Sequence, residues 1–376
     1  MNAEDRIYRE LQIHLDRMPV GYPSTESGVE IRMLKHLFTP EEARLATQLS
    51  MLPESLERIY KRVKKDGISI QELEQTLDHM RTNGCIEVIK KDGKNLYSNA
   101  MLVIGMYEYQ LERLTEDFAK DWLQYLDEAF ADEFARTKIL QIRTIPIKKS
   151  IPHERHVASY DDIWQIIDGV EEPIAVANCV CRQTKDVVGE SCKKTELRET
   201  CILFGRIAQA YLDWGISRPV NRDEAVSILK RAQEDGLVLQ PQNAQQPEFV
   251  CCCCGDCCGL LTSIKKFPNP SELYATNHYA EVDTNACSGC EICVDRCQLE
   301  ALAMVDGIAN VNLNRCIGCG NCVVICKDDA IQLKEKDKPL LPPKDTGALY
   351  MKILSKKVGK WNMLKVGAKM LLGRKV

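Results

Sequence analysis

The first third of the chain carries apolar residues at helical spacing, broken by clear start signals. TPEEARLATQL has Thr39 as N-cap, Pro40 in the first turn and Glu42 completing a capping box, and SIQELEQTLDHM repeats the arrangement with Ser69 and Glu72. PESLERIYKRVKKDG supplies a helix between them. CIEVIKKDGKNLYSNA then reads as two short strands around a turn from Lys91 to Lys94. Next, YEYQLERLTEDFAKDWLQYLDEAFADEF places Leu111, Leu114, Phe118, Trp122, Leu126 and Phe130 on one stripe, which predicts a single long amphipathic helix.

Beyond a Pro-containing basic linker, IRTIPIKKSIPHERH, the pattern turns mixed. His153 and His156 lie in that linker and are expected to be solvated rather than ligands. SYDDIWQIIDGV predicts a helix capped by Ser159, PIAVANCVC a strand, CILFGRIAQAYLDW a helix opened by Cys201, and NRDEAVSILKRAQEDG a capped helix ended by Gly236. KEKDKPLLPPKD reads as an extended linker. The final stretch sets Tyr350, Leu354, Val358, Trp361, Leu364, Ala368 and Leu371 on one face of a basic helix.

Composition narrows the class. At 376 residues, 45% hydrophobic and 28% charged, the chain suits two or three globular domains and excludes a disordered or fibrous protein. The start lacks a basic segment followed by an apolar core, and no run suits a membrane span, so a cytoplasmic protein is expected. The net charge of −4 conceals a division: from Gly347 onward there are eight Lys or Arg and no acid. A basic helix with Trp and Leu on the opposite stripe resembles a surface-lying membrane anchor. Contact with a membrane surface, or with a membrane-bound partner, is therefore expected through residues 348–376.

Nineteen cysteines in a long chain of this kind point to metal rather than to a disulfide scaffold. Residues 280–302 match residues 309–331 at an offset of 29, and each copy carries C-x2-C-x2-C-x3-C. In such runs three thiolates serve one cubane while the fourth reaches the other cluster. The segment from about 280 to 334 resembles the bacterial dicluster ferredoxin module. The resemblance implies that Cys287, Cys290, Cys293 and Cys326 hold one [4Fe-4S] cluster, and that Cys316, Cys319, Cys322 and Cys297 hold the other. A proline usually follows the fourth cysteine, but Gln298 and Lys327 stand there. That substitution is expected to loosen the turn and expose the clusters somewhat. Paired zinc knuckles use C-x2-C units rather than such triplets.

Eleven cysteines remain. Cys85 ends an apolar helical pattern and is expected to be a buried small hydrophobe. Cys179, Cys181, Cys192 and Cys201 lie in the middle region, followed by CCCCGDCCG with Cys251, Cys252, Cys253, Cys254, Cys257 and Cys258. Crowded thiolates repel one another unless a cation neutralises them, so one or two further Fe–S clusters are expected here, with zinc as the alternative. The first four could form one complete set, or some could join the later six. Arg182, Lys193, Lys194 and Arg198 could offset an anionic cluster or be ordinary solvated side chains. The doubled CCG resembles the cysteine-rich domains of heterodisulfide-reductase-type proteins, which hold a non-cubane cluster. In those domains the two elements stand far apart in the chain, so no residue role is carried over.

Helices followed by a hairpin over about residues 25–100 resemble a winged helix. The helix in the DNA-reading position carries Glu72, Glu74 and Asp78 against Arg81 alone, which phosphate would repel. Protein docking is therefore expected rather than nucleic-acid binding. No G-x-G-x-x-G or P-loop appears, so no flavin, nicotinamide or nucleotide site is expected. The expected fold is α+β and multi-domain: a mostly helical winged-helix-like domain (1–100), a long helix and linker (101–150), a cysteine-rich domain (151–275), a βαββαβ-type ferredoxin module (276–335), and a linker with a basic amphipathic tail (336–376). The expected function is electron relay to a docked or membrane-bound redox protein, in anaerobic metabolism. Two rivals stay open: a redox-sensing winged-helix regulator, and an oxidoreductase with a catalytic cluster at Cys251–Cys258.

Overall fold

The structure, a computed structural model, describes residues 3–151, 158–371 and 375. His153 and His156 lie outside the described residues. The chain is α+β and divides into two compact units, Met1–Glu133 with Ile353–Val376, and Phe134–Lys352.

In the first unit, helices Ala3–Leu15, Val29–Leu37 and Pro40–Ala46 precede a short strand, Glu54–Ser55. Helices Leu56–Val63 and Ile70–Thr82 follow, then the hairpin Ile86–Lys91 and Lys94–Asn99. The short strand pairs with Lys94–Asn99, making a three-stranded antiparallel sheet. Both capping boxes form: Glu42 N–H donates to Thr39 Oγ1 at 3.3 Å, and Glu72 N–H donates to Ser69 Oγ at 3.2 Å. Leu11, Met33, Leu34, Ile59, Leu73, Leu77 and Met80 are buried as its core. Cys85 is buried with them, its thiol donating to the Leu37 carbonyl at 2.7 Å, and burial pushes its pKa up.

The long helix expected over residues 107–134 is broken. Leu114 and Thr115 are extended, Thr115 Oγ1 accepts from Phe118 N–H, and a new helix runs Glu116–Tyr125. A cap competes locally with helix continuation, and the apolar period does not register it. Phe118, Trp122, Leu126 and Phe130 are buried nonetheless, with the Trp122 ring stacked 4.2 Å from Tyr107. The tail is likewise two helices, Thr346–Val358 and Lys360–Leu371, separated by Gly359 at φ +79°. Ile353 and Leu354 are buried, whereas Trp361 is 83% and Leu364 67% exposed. Lys357 is buried as well, donating to the Asp16 and Met18 carbonyls and to Glu133 Oε1 at 2.9 Å.

The second unit is built on a five-stranded antiparallel sheet, in the order Arg218–Val220, Ile174–Asn178, Glu199–Phe204, Phe249–Cys253, Val238–Pro241. Alternation sends Ile174, Val176, Ile202, Phe204, Val250 and Leu239 to one face, where they pack with Ile163, Ile167, Ala225 and Leu229 of two helices. Asp162 rather than Ser159 caps the first of these helices, accepting from Trp164 N–H at 3.0 Å. Cys201 does not open a helix. It lies within Glu199–Phe204, and the helix begins at Gly205. The β-branched and aromatic run TCILF prefers a half-buried strand between two others.

The same unit continues as strand His278–Val282, helix Ile292–Arg296, strands Leu302–Val305 and Ile308–Val311, helix Asn321–Ile325 and strand Ile331–Glu335. The outer strands pair antiparallel, and so do the inner two. The 29-residue repeat thus folds as two equal halves that exchange their flanking strands.

Candidate metal centres

The repeat sets cysteines around two cavities in a crossed manner. One is lined by Cys316, Cys319 and Cys322 of the second copy with Cys297 of the first. The other is lined by Cys287, Cys290 and Cys293 with Cys326. Backbone donors follow the same crossing. Ala280 N–H donates to Cys316 Sγ at 3.4 Å and Ala309 N–H to Cys287 Sγ at 3.5 Å, positions related by the repeat. Gly289 (φ +72°) and Gly318 (φ +63°) are needed twice over, for positive φ and because a Cβ would strike the Gly307 and His278 carbonyls. Four sulfurs per cavity with amide N–H donors aimed at them form a donor set suited to a [4Fe-4S] cubane.

The two cavities differ in surroundings. Cys290 is exposed, whereas Cys316 and Cys322 are buried. Burial pushes the Cys319 thiol up to about 12, so an uncharged thiol is favoured there until a cation is bound. Gln298, expected to loosen the turn, is 3% exposed. Its Oε1 accepts from Gly255 N–H at 2.7 Å, and its Nε2 donates to the Gly236 carbonyl at 3.0 Å. Asn321, in the second copy, donates to that same carbonyl at 2.8 Å. A Cβ at Gly255 would collide with the Gln298 backbone carbonyl. The glutamine therefore stitches the buried half of the repeat to the CCCCGDCCG loop. Lys327, its counterpart, is exposed.

The ten remaining cysteines divide into three groups. In strand Phe249–Cys253, alternation turns Cys252 into the apolar core and Cys251 and Cys253 to the opposite face. There Cys251 pairs in register with Cys201. Neighbouring sulfurs then run in sequence from Cys201 to Cys251, Cys253, Cys258, Cys181 and Cys179, each close enough to shift the next one's pKa, a belt of six sulfurs. Cys179 follows the end of strand Ile174–Asn178, and Cys258 precedes helix Gly259–Ile264, so strand ends and helix starts converge on the belt. Buried Tyr274 lies beside Cys258, Cys253 and Cys251, its hydroxyl donating to Gln240 Oε1 at 2.9 Å.

Cys192 does not join Cys179, Cys181 and Cys201. Its Sγ lies 3.7 Å from Cys254 Sγ and 3.6 Å from Asp256 Oδ1. With Cys257 these form, among the described residues, the group whose donor atoms all lie within 4.8 Å of one another. Hydrogen bonding from Cys257 holds the Cys254 thiol down to about 6, against burial and aided by Arg182.

Arg182 joins the two groups. It is 0% exposed, its Nη1 donates to Thr200 Oγ1 at 2.6 Å, and its Nη2 donates to the Cys252 carbonyl at 2.9 Å. Burial opposes its charge, but the Cys179, Cys254, Cys253 and Cys192 sulfurs outweigh this and keep its pKa above the ordinary guanidinium value. Of the four basic residues flagged in the sequence it is the one buried at the sulfurs: Lys193 and Lys194 are exposed and Arg198 pairs with Asp186 at 2.6 Å. Sequence reasoning did not select Asp256 or Tyr274. Asp256 was recognisable as the lone acid among six thiols, while Tyr274 has no local signal.

Residues 280–327 match the family model of a 4Fe-4S dicluster domain. No curated protein and no solved structure matches the chain. Over the matched segment the chain is similar to 4Fe-4S dicluster domains, which gives it iron–sulfur electron-transfer capacity.

Proposed function

We propose that this protein is an electron-transfer protein that connects an external redox partner to a buried cysteine centre of its own. The observation that carries this reading is the asymmetry of the repeat: one four-sulfur cavity opens to solvent at Cys290, and the other is tied through Gln298 to the loop bearing Cys251 to Cys258. Cys287, Cys290, Cys293 and Cys326 would hold one [4Fe-4S] cluster, Cys316, Cys319, Cys322 and Cys297 a second, and thiols of the six-sulfur belt a further Fe–S cluster. Bound clusters supply one-electron transfer at potentials set by charge, hydrogen bonding and exposure. The chain's own residues tune these: Ala280 and Ala309 N–H groups stabilise sulfur charge, Arg182 neutralises the belt, and the exposed rim at Cys290 gives a partner access.

The first unit, read as a winged helix, serves as a docking module in this account. Glu72, Glu74 and Asp78 face solvent, and Arg58 and Arg62 are spent on Glu54, at 2.8 and 2.5 Å, which supports a protein partner over nucleic acid. Exposed Trp361 and Leu364 on the basic final helix would touch a membrane surface or a membrane-bound partner. Among the described residues no helix is long and apolar enough to cross a membrane. The test is anaerobic reduction of the full chain followed by EPR. Cys287→Ser and Cys316→Ser should each remove a different [4Fe-4S] signal; intact signals in both variants would overturn the reading.

A further inference from the structure

Three of the surplus thiols and one carboxylate are spaced for a different job from the rest. We propose that Cys192, Cys254, Cys257 and Asp256 bind a single tetrahedral zinc ion, separate from any iron–sulfur cluster. The inference goes beyond electron transfer and stands independently of it.

Spacing carries the argument. Thiolates on a cubane sit on different iron corners, so their sulfurs are spread around the cluster. Ligands of one tetrahedral zinc, at about 2.3 Å for sulfur and about 2.0 Å for oxygen, stand about 3.5–3.8 Å from each other. The observed separations are 3.7 Å between Cys192 and Cys254 Sγ, and 3.6 Å from Cys192 Sγ to Asp256 Oδ1, with all four donor atoms within 4.8 Å. The cysteines of the two ferredoxin cavities form no such tight group among the described residues. The donor set suits the ion as well: three thiolates select a borderline-soft metal, and one carboxylate completes the coordination number.

Two outer contacts fit the same role. Lys193 N–H donates to Asp256 Oδ2 at 2.8 Å and so turns Oδ1 toward Cys192. Three thiolates and a carboxylate on a divalent ion leave net negative charge, and the buried Arg182 guanidinium lies beside Cys254 and Cys192 to offset it. The ion would clamp the loop at Cys192 onto the turn at 254–257, whose Gly255 contacts Gln298. It would thereby fix the belt against the ferredoxin module without changing oxidation state.

Zinc-edge X-ray absorption and zinc, iron and sulfide analysis of the anaerobically isolated full chain test this. The wild type should hold about one zinc per chain in a shell of three sulfurs and one oxygen. Asp256→Cys should keep the zinc and convert the shell to four sulfurs. Cys192→Ser should lower zinc content by at least tenfold while iron, labile sulfide and the EPR of the 280–327 clusters stay unchanged. Absence of zinc in the wild type, an unaltered shell in Asp256→Cys, or loss of labile sulfide in Cys192→Ser would overturn the proposal. A missing [4Fe-4S] signal with normal zinc would instead count against the electron-transfer reading alone.

Discussion

The two cysteine-rich regions of the second unit solve the same problem in opposite ways. In the repeat, each cavity takes three sulfurs from one seven-residue run and one from the other copy, so ligand geometry is largely encoded in local spacing. In the middle region, six sulfurs reach one belt from two strands, the start of one helix and the residue before another. The difference teaches that thiol density is a poor guide to ligand sets. Neighbouring Cys252 and Cys254 both pack with the apolar core, Cys254 also meeting Cys192 and Asp256, while strand alternation sends Cys253 between them to the belt.

The sharpest way to break this comparison is to exchange ligands across the repeat. Cys297→Ser should abolish the same EPR signal as Cys316→Ser and leave the signal dependent on Cys287, with loss of about four iron per chain. Local pairing within each copy would give the reverse. Arg182→Leu comes next. It removes the donors to Thr200 Oγ1 and the Cys252 carbonyl, at about 1–3 kcal/mol by denaturant unfolding, and should deplete metal in the middle region while sparing the 280–327 clusters. Arg182→Lys should recover part of the metal. Gln298→Ala removes two hydrogen bonds, about 1 kcal/mol each by the same assay, and should leave iron content intact while slowing exchange of electrons between the repeat and the belt. Full-rate equilibration in a stopped-flow reduction of that variant would contradict the bridging role.

The smallest expected effect lies in the first unit. Burial lowers the His14 pKa to about 4, its Nε2 lying 3.0 Å from the Leu49 carbonyl and 2.9 Å from Asn99 Nδ2. The unfolded chain takes up this proton near pH 6.5, before the folded one. Stability contributed by neutral His14 is therefore complete above that pH and lost as pH falls toward 4. His14→Gln should flatten the pH dependence of thermal unfolding in this window without altering metal content.

Much of the fold was legible where the signal is local. Both capping boxes and the hairpin turn follow from side chains within a few residues of one another. The break at Thr115 and the strand placement of Cys201 were not, because a cap and a strand partner overrode the helical period. At the sites, the resemblance implied a crossed fourth cysteine, and Cys297 and Cys326 do line the cavity of the other copy. The division of the other ten was not foreseeable, since it depends on the pairing of Cys201 with Cys251, residues 50 positions apart. Gln298 illustrates the limit best: as a departure from a motif it suggested exposure, and in the fold it is a buried cross-link.

Anaerobic quantitation of iron and acid-labile sulfide, with EPR of the reduced full chain, bears most directly on the claim that the repeat and the belt both carry clusters. The account predicts about twelve iron and as much sulfide per chain, with a signal beyond the two that depend on Cys287 and Cys316. About eight iron, with no signal sensitive to Cys253→Ser, would contradict it.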